Sequence, residues 1–332
     1  MNKRVLVIGA TGAMAVYLIP ELIKKGYLID GISMDDVKTQ ESGINYIKAD
    51  AKEWGFIEKQ VSIGYDVIVD FMFYRTLEEF KLYAKLFLEN CKHYIFLSTY
   101  RVFADASPLH EGSKRLLDVC RPTDFVTEYE YSIYKAEQED FLNSSEYNNY
   151  TILRPAITYS KRRFQLTVLE ADVVVYRMLR GKTVVLPEGA MDKQATMSWA
   201  GDVAKMISAL VLNPEAYRET YIVSTSEHMT WSEIAKIYEE IGGLKYTVVP
   251  DEVFLDIVAP DNIYVLQQLK YDRCFNRVID NRKILDVSGL CQEELMPLKE
   301  GLKRELSNIS IDEIPCSEAI NQRMDNYLER IK

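Results

Sequence analysis

A short β-branched run, Val5 to Ile8, opens directly into Gly9-Ala10-Thr11-Gly12-Ala13-Met14-Ala15, after which a helical pattern begins near Met14. This order restricts the fold more than anything else in the chain. A glycine at position 9 permits the tight turn out of a strand, and one at position 12 lets the backbone approach a pyrophosphate held at a helix amino end. Ala15, in the third place of the fingerprint, is small enough for that helix to pack closely on the sheet. Glycine-rich loops also make ordinary turns. It is the succession of strand, loop and helix at the start of the chain that indicates a dinucleotide site, lined by Gly9, Thr11, Gly12, Ala13 and Met14.

The same alternation continues through the first half. Residues 28–32, 45–47, 66–71, 94–97 and 151–153 read as strands, and residues 15–25, 77–90 and 131–142 carry apolar positions at helical period. Strands recurring between helices imply right-handed crossovers and a mainly parallel sheet covered on both faces, an α/β fold of the Rossmann-type doubly wound class. Residues 160–192 change character, with basic Lys161-Arg162-Arg163, a helix expected near 166–179, and Gly181, Pro187 and Gly189. They read as the entry to a smaller α/β substrate lobe. A helix at 202–212 and a strand at 220–223 then return to the sheet. The expected division is a dinucleotide-binding domain at 1–160, rejoined by 202–225, and a substrate lobe formed by 161–201 and 226–332, with a charged final helix beginning near Cys316. No linker rich in Pro, Gly or Ser separates them, so the lobes are expected to pack together without a flexible tether.

Composition excludes several classes. A chain of 332 residues, 48% of them hydrophobic, can bury a sizeable core. Its formal charge of -10, with no block of Lys and Arg, gives no drive toward a polyphosphate backbone, so nucleic acid is not expected as a partner. Five scattered cysteines and three dispersed histidines offer no metal-ligand spacing. The start, Met1-Asn2-Lys3-Arg4 and four apolar residues, is too short for a signal peptide. No later apolar run approaches ~18 residues, so no membrane partner and a cytoplasmic location are expected.

Tyr131-Ser132-Ile133-Tyr134-Lys135 sets a phenol and an ammonium four residues apart, on one face of a helix. The ammonium favours phenolate over phenol, so the tyrosine can exchange a proton with a substrate hydroxyl. With 22 tyrosines in the chain, a surface pair at this spacing is the competing reading, and Tyr129 and Tyr134 are the alternative phenols. Past the second strand, which ends near Ser33, stand Asp35 and Asp36 with no neighbouring arginine. Two carboxylates there would repel a 2′-phosphate, which favours NAD and leaves NADP as the alternative; a solvated loop is the bland reading of both.

Together, the glycine-rich start, the Tyr-x-x-x-Lys helix and Leu97-Ser98-Thr99-Tyr100-Arg101-Val102-Phe103 after a strand resemble the extended short-chain dehydrogenase/reductases of the NAD-dependent epimerase/dehydratase family. The resemblance implies that Thr99 hydrogen-bonds the reacting oxygen, making Thr99, Tyr131 and Lys135 the catalytic triad, with Lys135 also holding the nicotinamide ribose. Asp50, beside Ala51, matches the acidic residue that holds the adenine amino group, and Val69-Asp70-Phe71-Met72 matches the fourth-strand segment along the cofactor. Leu153-Arg154-Pro155 is similar to the strand end before the substrate lobe, and Pro155 is carried over with it. Gly201-Asp202-Val203-Ala204 and Leu298-Lys299-Glu300-Gly301-Leu302 match a helix start and a terminal-helix signature. The family also implies a homodimer through a four-helix interface, here residues 77–90 and 130–142.

Two departures bear on the substrate. Nucleotide-sugar dehydratases follow the Thr with an Asp-Glu acid/base pair, where this chain has Tyr100-Arg101, and many epimerases grip the diphosphate with an arginine where Ala195 stands. Arg162, Arg163 and Arg277 are the candidate replacements, since arginine bonds phosphate bidentately; solvated surface arginines are the alternative. Three functions follow. The first is an NAD(P)-dependent epimerase of a nucleotide-sugar, and the second a one-way reductase or dehydrogenase with the same triad. The third is a cofactor-binding regulatory or RNA-binding protein, because a chloroplast RNA-associated branch begins with a similar loop. Phe71, Phe73 and Tyr74 read either as a cover for the nicotinamide or as strand-end packing.

Overall fold

The protein is described by a computed structural model for residues 3–120, 131–260, 262–307 and 309–331. Six strands form its centre: β1 (Arg4–Ile8), β2 (Leu28–Ser33), β3 (Ile44–Lys48), β4 (Tyr65–Asp70), β5 (Cys91–Leu97) and β6 (Tyr150–Leu153). With Glu219–Tyr221 at one edge they make a seven-stranded sheet in the order Glu219–Tyr221, β6, β5, β4, β1, β2, β3. Every neighbouring pair is parallel. The chain winds outward from β1 to β3, then crosses to β4 and winds the other way. The reversal leaves a crevice at the carboxyl ends of β1 and β4, the place where sheets of this kind hold ligands.

Side chains that alternate along each strand feed two cores. Val5 and Val7 of β1 pack with Val67, Val69 and Ile95 under Leu18, Ile19 and Leu22 of α1 (Ala15–Lys24) and Val203, Ile207 and Leu210 of the helix Ala200–Leu210. Leu6 and Ile8 face the opposite way, joining Ile68 and Phe96 against Ile57 and Val61 of α2 (Trp54–Val61) and Phe80, Ala84 and Phe87 of α3 (Leu77–Asn90). A strand buried on both faces must read as a continuous apolar run, which is why the sheet was visible in the sequence.

A third core, around Trp231, Ile234, Tyr238 and Phe254 of the expected substrate lobe, also takes in Tyr100, Phe103, Leu109 and Ile222 of the part expected to bind the dinucleotide. That lobe pairs Thr183–Pro187 with Lys245–Val249 in parallel and Gln194–Ala195 with Met229–Thr230 antiparallel. Its helix Trp231–Gly242 starts from a capping box between Thr230 and Glu233. The helix expected near 166–179 is corrected here. Gln165–Leu166 and Leu169–Glu170 form an antiparallel hairpin, and only Val174–Leu179 is helical. Thr167 lies between the two strands with φ 54, a left-handed conformation that a right-handed helix cannot contain. Among the described residues no helix is long and apolar enough to cross a membrane.

Candidate active site

The strand ends position a cleft of about 490 Å³, a size suited to a small-molecule ligand. Gly9, Thr11, Gly12, Ala13 and Met14 line it from the loop after β1, Ser33 from the end of β2 with Asp35 just beyond it, Asp50 and Ala51 from just after β3, and Phe71 and Met72 from just after β4. The backbone N–H groups of Gly9 and Ala10 donate to the Ile32 carbonyl at 3.0 and 2.9 Å, tying the loop to β2. Gly9 takes φ +80, and a Cβ on Gly12 would lie 3.1 Å from the Gly9 carbonyl oxygen, so the turn itself demands small residues. The hydroxyls of Thr11 and Ser33 share a hydrogen bond of 2.7 Å, and Asp50 accepts from the Lys52 N–H at 2.9 Å. No acidic residue occupies the first turn of α1, so its positive end meets the cleft unopposed. A bare backbone, a helix amino end and polar groups at the tips of β2 and β3 fit a dinucleotide. Asp36 is exposed and does not line this cleft.

A second cavity of about 280 Å³ adjoins the first and shares Met14, Leu97 and Arg163 with it. Thr99, Tyr131 and Pro155 line this cavity, so Pro155, expected beside the cofactor, lines the second cavity and not the first. Thr99 follows β5 and its Oγ1 accepts from the Arg101 N–H at 3.2 Å, starting a single 3-10 turn at Tyr100–Val102. The Tyr131 ring packs on Phe73 with centroids 5.9 Å apart, and the Arg101 guanidinium lies 5.1 Å from its centre. One helical turn on, Lys135 is only 2% exposed and lines neither cavity. Its Nζ donates to the Leu97 carbonyl at 2.7 Å and sits 4.6 Å over the Phe96 ring.

Burial lowers the Lys135 pKa to about 8, while the negative fields of Asp70 and Glu139 oppose that drop. Asp70 is fully buried and accepts from the hydroxyls of Tyr74 and Tyr94 at 2.6 and 2.7 Å; burial raises its pKa. Glu139 accepts from Ser98 Oγ at 2.5 Å and from Arg154 Nε and Nη2 at 2.8 and 2.6 Å. Neither carboxylate was identified from the sequence as a neighbour of the ammonium. Glu139 carried a signal, lying four residues after Lys135 on the same helix face. Asp70 carried none, since its contacts come from other elements.

The three candidate arginines separate. Arg163 lines both cavities, Arg162 is exposed outside them, and Arg277 is 2% exposed and lines neither. Arg277 donates from Nε to Asp272 at 3.0 Å, from Nη1 to the carbonyls of Phe103 and Ala104, and from Nη2 to that of Tyr271 at 3.0 Å. This corrects the expectation for Arg277: its donors are committed to Asp272 and Tyr271 on one side and to Phe103 and Ala104 on the other, joining the two parts of the chain. Arg273, which shares Asp272 and donates to the Tyr100 hydroxyl at 2.9 Å, lines the second cavity instead. Tyr129 and Glu130 lie outside the described residues. Among the described residues no group of three His, Cys, Asp or Glu side chains could hold a metal ion.

The sequence profile of the NAD dependent epimerase/dehydratase family matches residues 5–224. A search of curated proteins by sequence finds no match. Among solved structures, the fold is similar to an epimerase of the methanogen Methanothermobacter thermautotrophicus, with a TM-score of 0.70, 13% identity and 92% of each chain covered. It is similar also to a UDP-glucose 4-epimerase of Thermotoga maritima, solved with UDP-glucose, at a TM-score of 0.65 and 19% identity over 92% of this chain and 97% of that one. A UDP-glucuronic acid 4-epimerase of Bacillus cereus, in complex with UDP-glucuronic acid and NAD, gives a TM-score of 0.67 at 16% identity over 92% and 98%. At such identities the likeness establishes the fold.

Proposed function

Because this chain belongs to the NAD dependent epimerase/dehydratase family, we propose that it epimerises a nucleotide-sugar by transient hydride transfer, with Thr99, Tyr131 and Lys135 as its catalytic groups. The observation that carries this reading is the junction of the two cavities. The one holding Thr99 and Tyr131 shares Met14 and Leu97 with the dinucleotide cleft, so a substrate hydroxyl at Tyr131 stands next to the cofactor site. When bound, NAD supplies hydride acceptance and return. The chain's own part is proton transfer. Tyr131 takes the proton of the substrate hydroxyl onto its phenol oxygen and later returns it, while the Thr99 hydroxyl donates to the same substrate oxygen. The buried charge of Lys135 favours the phenolate, more strongly than in water because burial removes solvent screening.

The nucleotide-sugar assignment draws on charge and on relatives. Arg101 and Arg273 line the second cavity with a single carboxylate, Glu170, among its described lining residues; the donors of Arg273 are held by Thr167, Gln165, Tyr100 and Asp272, so it offers a diphosphate charge rather than new hydrogen bonds. The similar enzymes of Thermotoga maritima and Bacillus cereus were solved with nucleotide-sugars. Tyr100-Arg101 offers no acid/base carboxylate of the dehydratase kind, which favours epimerisation over water elimination. The test is incubation of the NAD-loaded protein with UDP-glucose and UDP-glucuronic acid, following the products by proton NMR. Formation of an epimer without added free cofactor supports the proposal. A net oxidised or reduced product that needs free cofactor identifies a reductase, and no conversion of any sugar nucleotide overturns the substrate class.

A further inference from the structure

Arg163 lines the cofactor cleft together with the residues of the glycine loop. It closes a tight turn in which Ser160 and Arg163 exchange backbone hydrogen bonds, each 2.9 Å. The turn rests on α1, with the Tyr17 hydroxyl beside the Lys161 backbone. The Arg163 side chain thereby borders the same cleft as Gly12 and Ser33 while also facing the cavity of Thr99 and Tyr131.

Charge bookkeeping around the cleft shows what that side chain can do. Asp35 and Asp50 line the cleft, and the first turn of α1 brings no side-chain cation, so the loop offers a phosphate only N–H groups and the helix end. Of the two cations among the described lining residues, Lys52 is held by Glu79 at 3.0 Å. Arg163 has a looser tie, 3.6 Å to Glu170, with the two side chains 39% and 47% exposed. Such a solvated pair contributes little and exchanges readily for a stronger anion. A diphosphate offers that anion in the bidentate geometry guanidinium prefers.

We propose that Arg163 clamps the cofactor, its guanidinium crossing from the substrate lobe to bond the NAD diphosphate against the glycine loop and so retain NAD between turnovers. The assignment rests on NAD occupying this cleft and is independent of which sugar, if any, is the substrate. It assigns Arg163 to the cofactor and leaves Arg101 and the charge of Arg273 to face a substrate diphosphate.

The test uses the whole protein without substrate, comparing wild type with Arg163→Gln and Arg163→Lys. Titration calorimetry with NAD, ADP-ribose, NADP and adenosine, and the dissociation rate of NAD by competitive chase, are the readouts. Loss of one charged hydrogen-bonding partner predicts that Arg163→Gln weakens NAD and ADP-ribose by ~10- to 100-fold and speeds NAD release to match. Adenosine, which lacks phosphate, should bind equally to all variants, and Arg163→Lys should recover part of the loss. Unchanged NAD affinity and release in Arg163→Gln would overturn the clamp. So would a loss confined to NADP, which would place the arginine at the adenosine ribose. A thermal unfolding midpoint equal to wild type shows that the variant is folded; were Arg163→Gln unfolded, Arg163→Lys carries the same comparison, with a smaller expected loss in the same two ligands.

Discussion

Replacing Tyr131 by phenylalanine keeps the ring that packs on Phe73 and under Arg101 and removes only the oxygen that exchanges a proton. NAD affinity should therefore stay near wild type while single-turnover reduction of the bound cofactor falls by at least ~100-fold, the low end of a general acid–base contribution. Reduction at the wild-type rate would remove Tyr131 from the mechanism and turn attention to Tyr134. Lys135 supplies a second measurement, in pH. Its pKa in the fold is about 8, below the ordinary lysine value of 10.5, so below pH 8 the fold carries a buried charge that the unfolded chain leaves in water. As the pH rises through that interval the folded protein gives up its proton first and the penalty disappears. The stability of wild type relative to Lys135→Met, followed by urea unfolding from about pH 7 to about pH 10, should rise across this window. A constant difference would mean that the ammonium titrates as it does in water. The Tyr131–Lys135 pair was legible because helical spacing is local. Of the two carboxylates that set the lysine's field, Glu139 is local, one turn along the helix Tyr131–Ser144, whereas Asp70 comes from β4 and becomes a neighbour only in the folded sheet.

At the scale of an element, the turn between β1 and α1 is the most legible piece of the molecule, since its glycines answer to steric rules that hold over a few residues. Gly12→Val would set a branched side chain where even a Cβ comes 3.1 Å from the Gly9 oxygen and where the cleft must admit a pyrophosphate. The expected outcome is loss of NAD affinity by about 100-fold or more, read by calorimetry, with a stability decrease of about 1 kcal/mol typical of a local backbone change. Full affinity for both NAD and NADP would show that the cofactor lies elsewhere. The hairpin at Gln165–Glu170 shows the opposite case. Phe164, Leu166 and Leu169 are buried, and so short an apolar run suits a helix or a pair of strands equally well; the left-handed Thr167 at the turn of the hairpin decides between them.

Across the whole molecule, one buried carboxylate joins the carboxyl-terminal part of the chain to the dinucleotide-binding half. Glu305, on the helix Leu298–Leu306, accepts from the Tyr17 hydroxyl of α1 at 2.8 Å and from Trp199 Nε1 at 2.7 Å. Glu305→Ala leaves the buried Trp199 Nε1 without its acceptor, the half-buried Tyr17 hydroxyl losing one partner beside it, and should destabilise the protein by about 1–3 kcal/mol in urea unfolding. A change below about 0.5 kcal/mol, ordinary for a surface site, would show that the contact does not join the two parts. By itself the sequence determined the parallel sheet, the glycine loop and the Tyr-x-x-x-Lys helix face, because strand period, turn sterics and helical spacing act between near neighbours in the chain. The tertiary structure alone decided which charges meet. It set Arg163 on the wall of the cleft that the glycine loop and Ser33 also line, and locked Arg277 onto Asp272 and three backbone carbonyls. Side-chain charge carries no periodic signature of its partner, and the pairing energy exists only once packing has removed both groups from water.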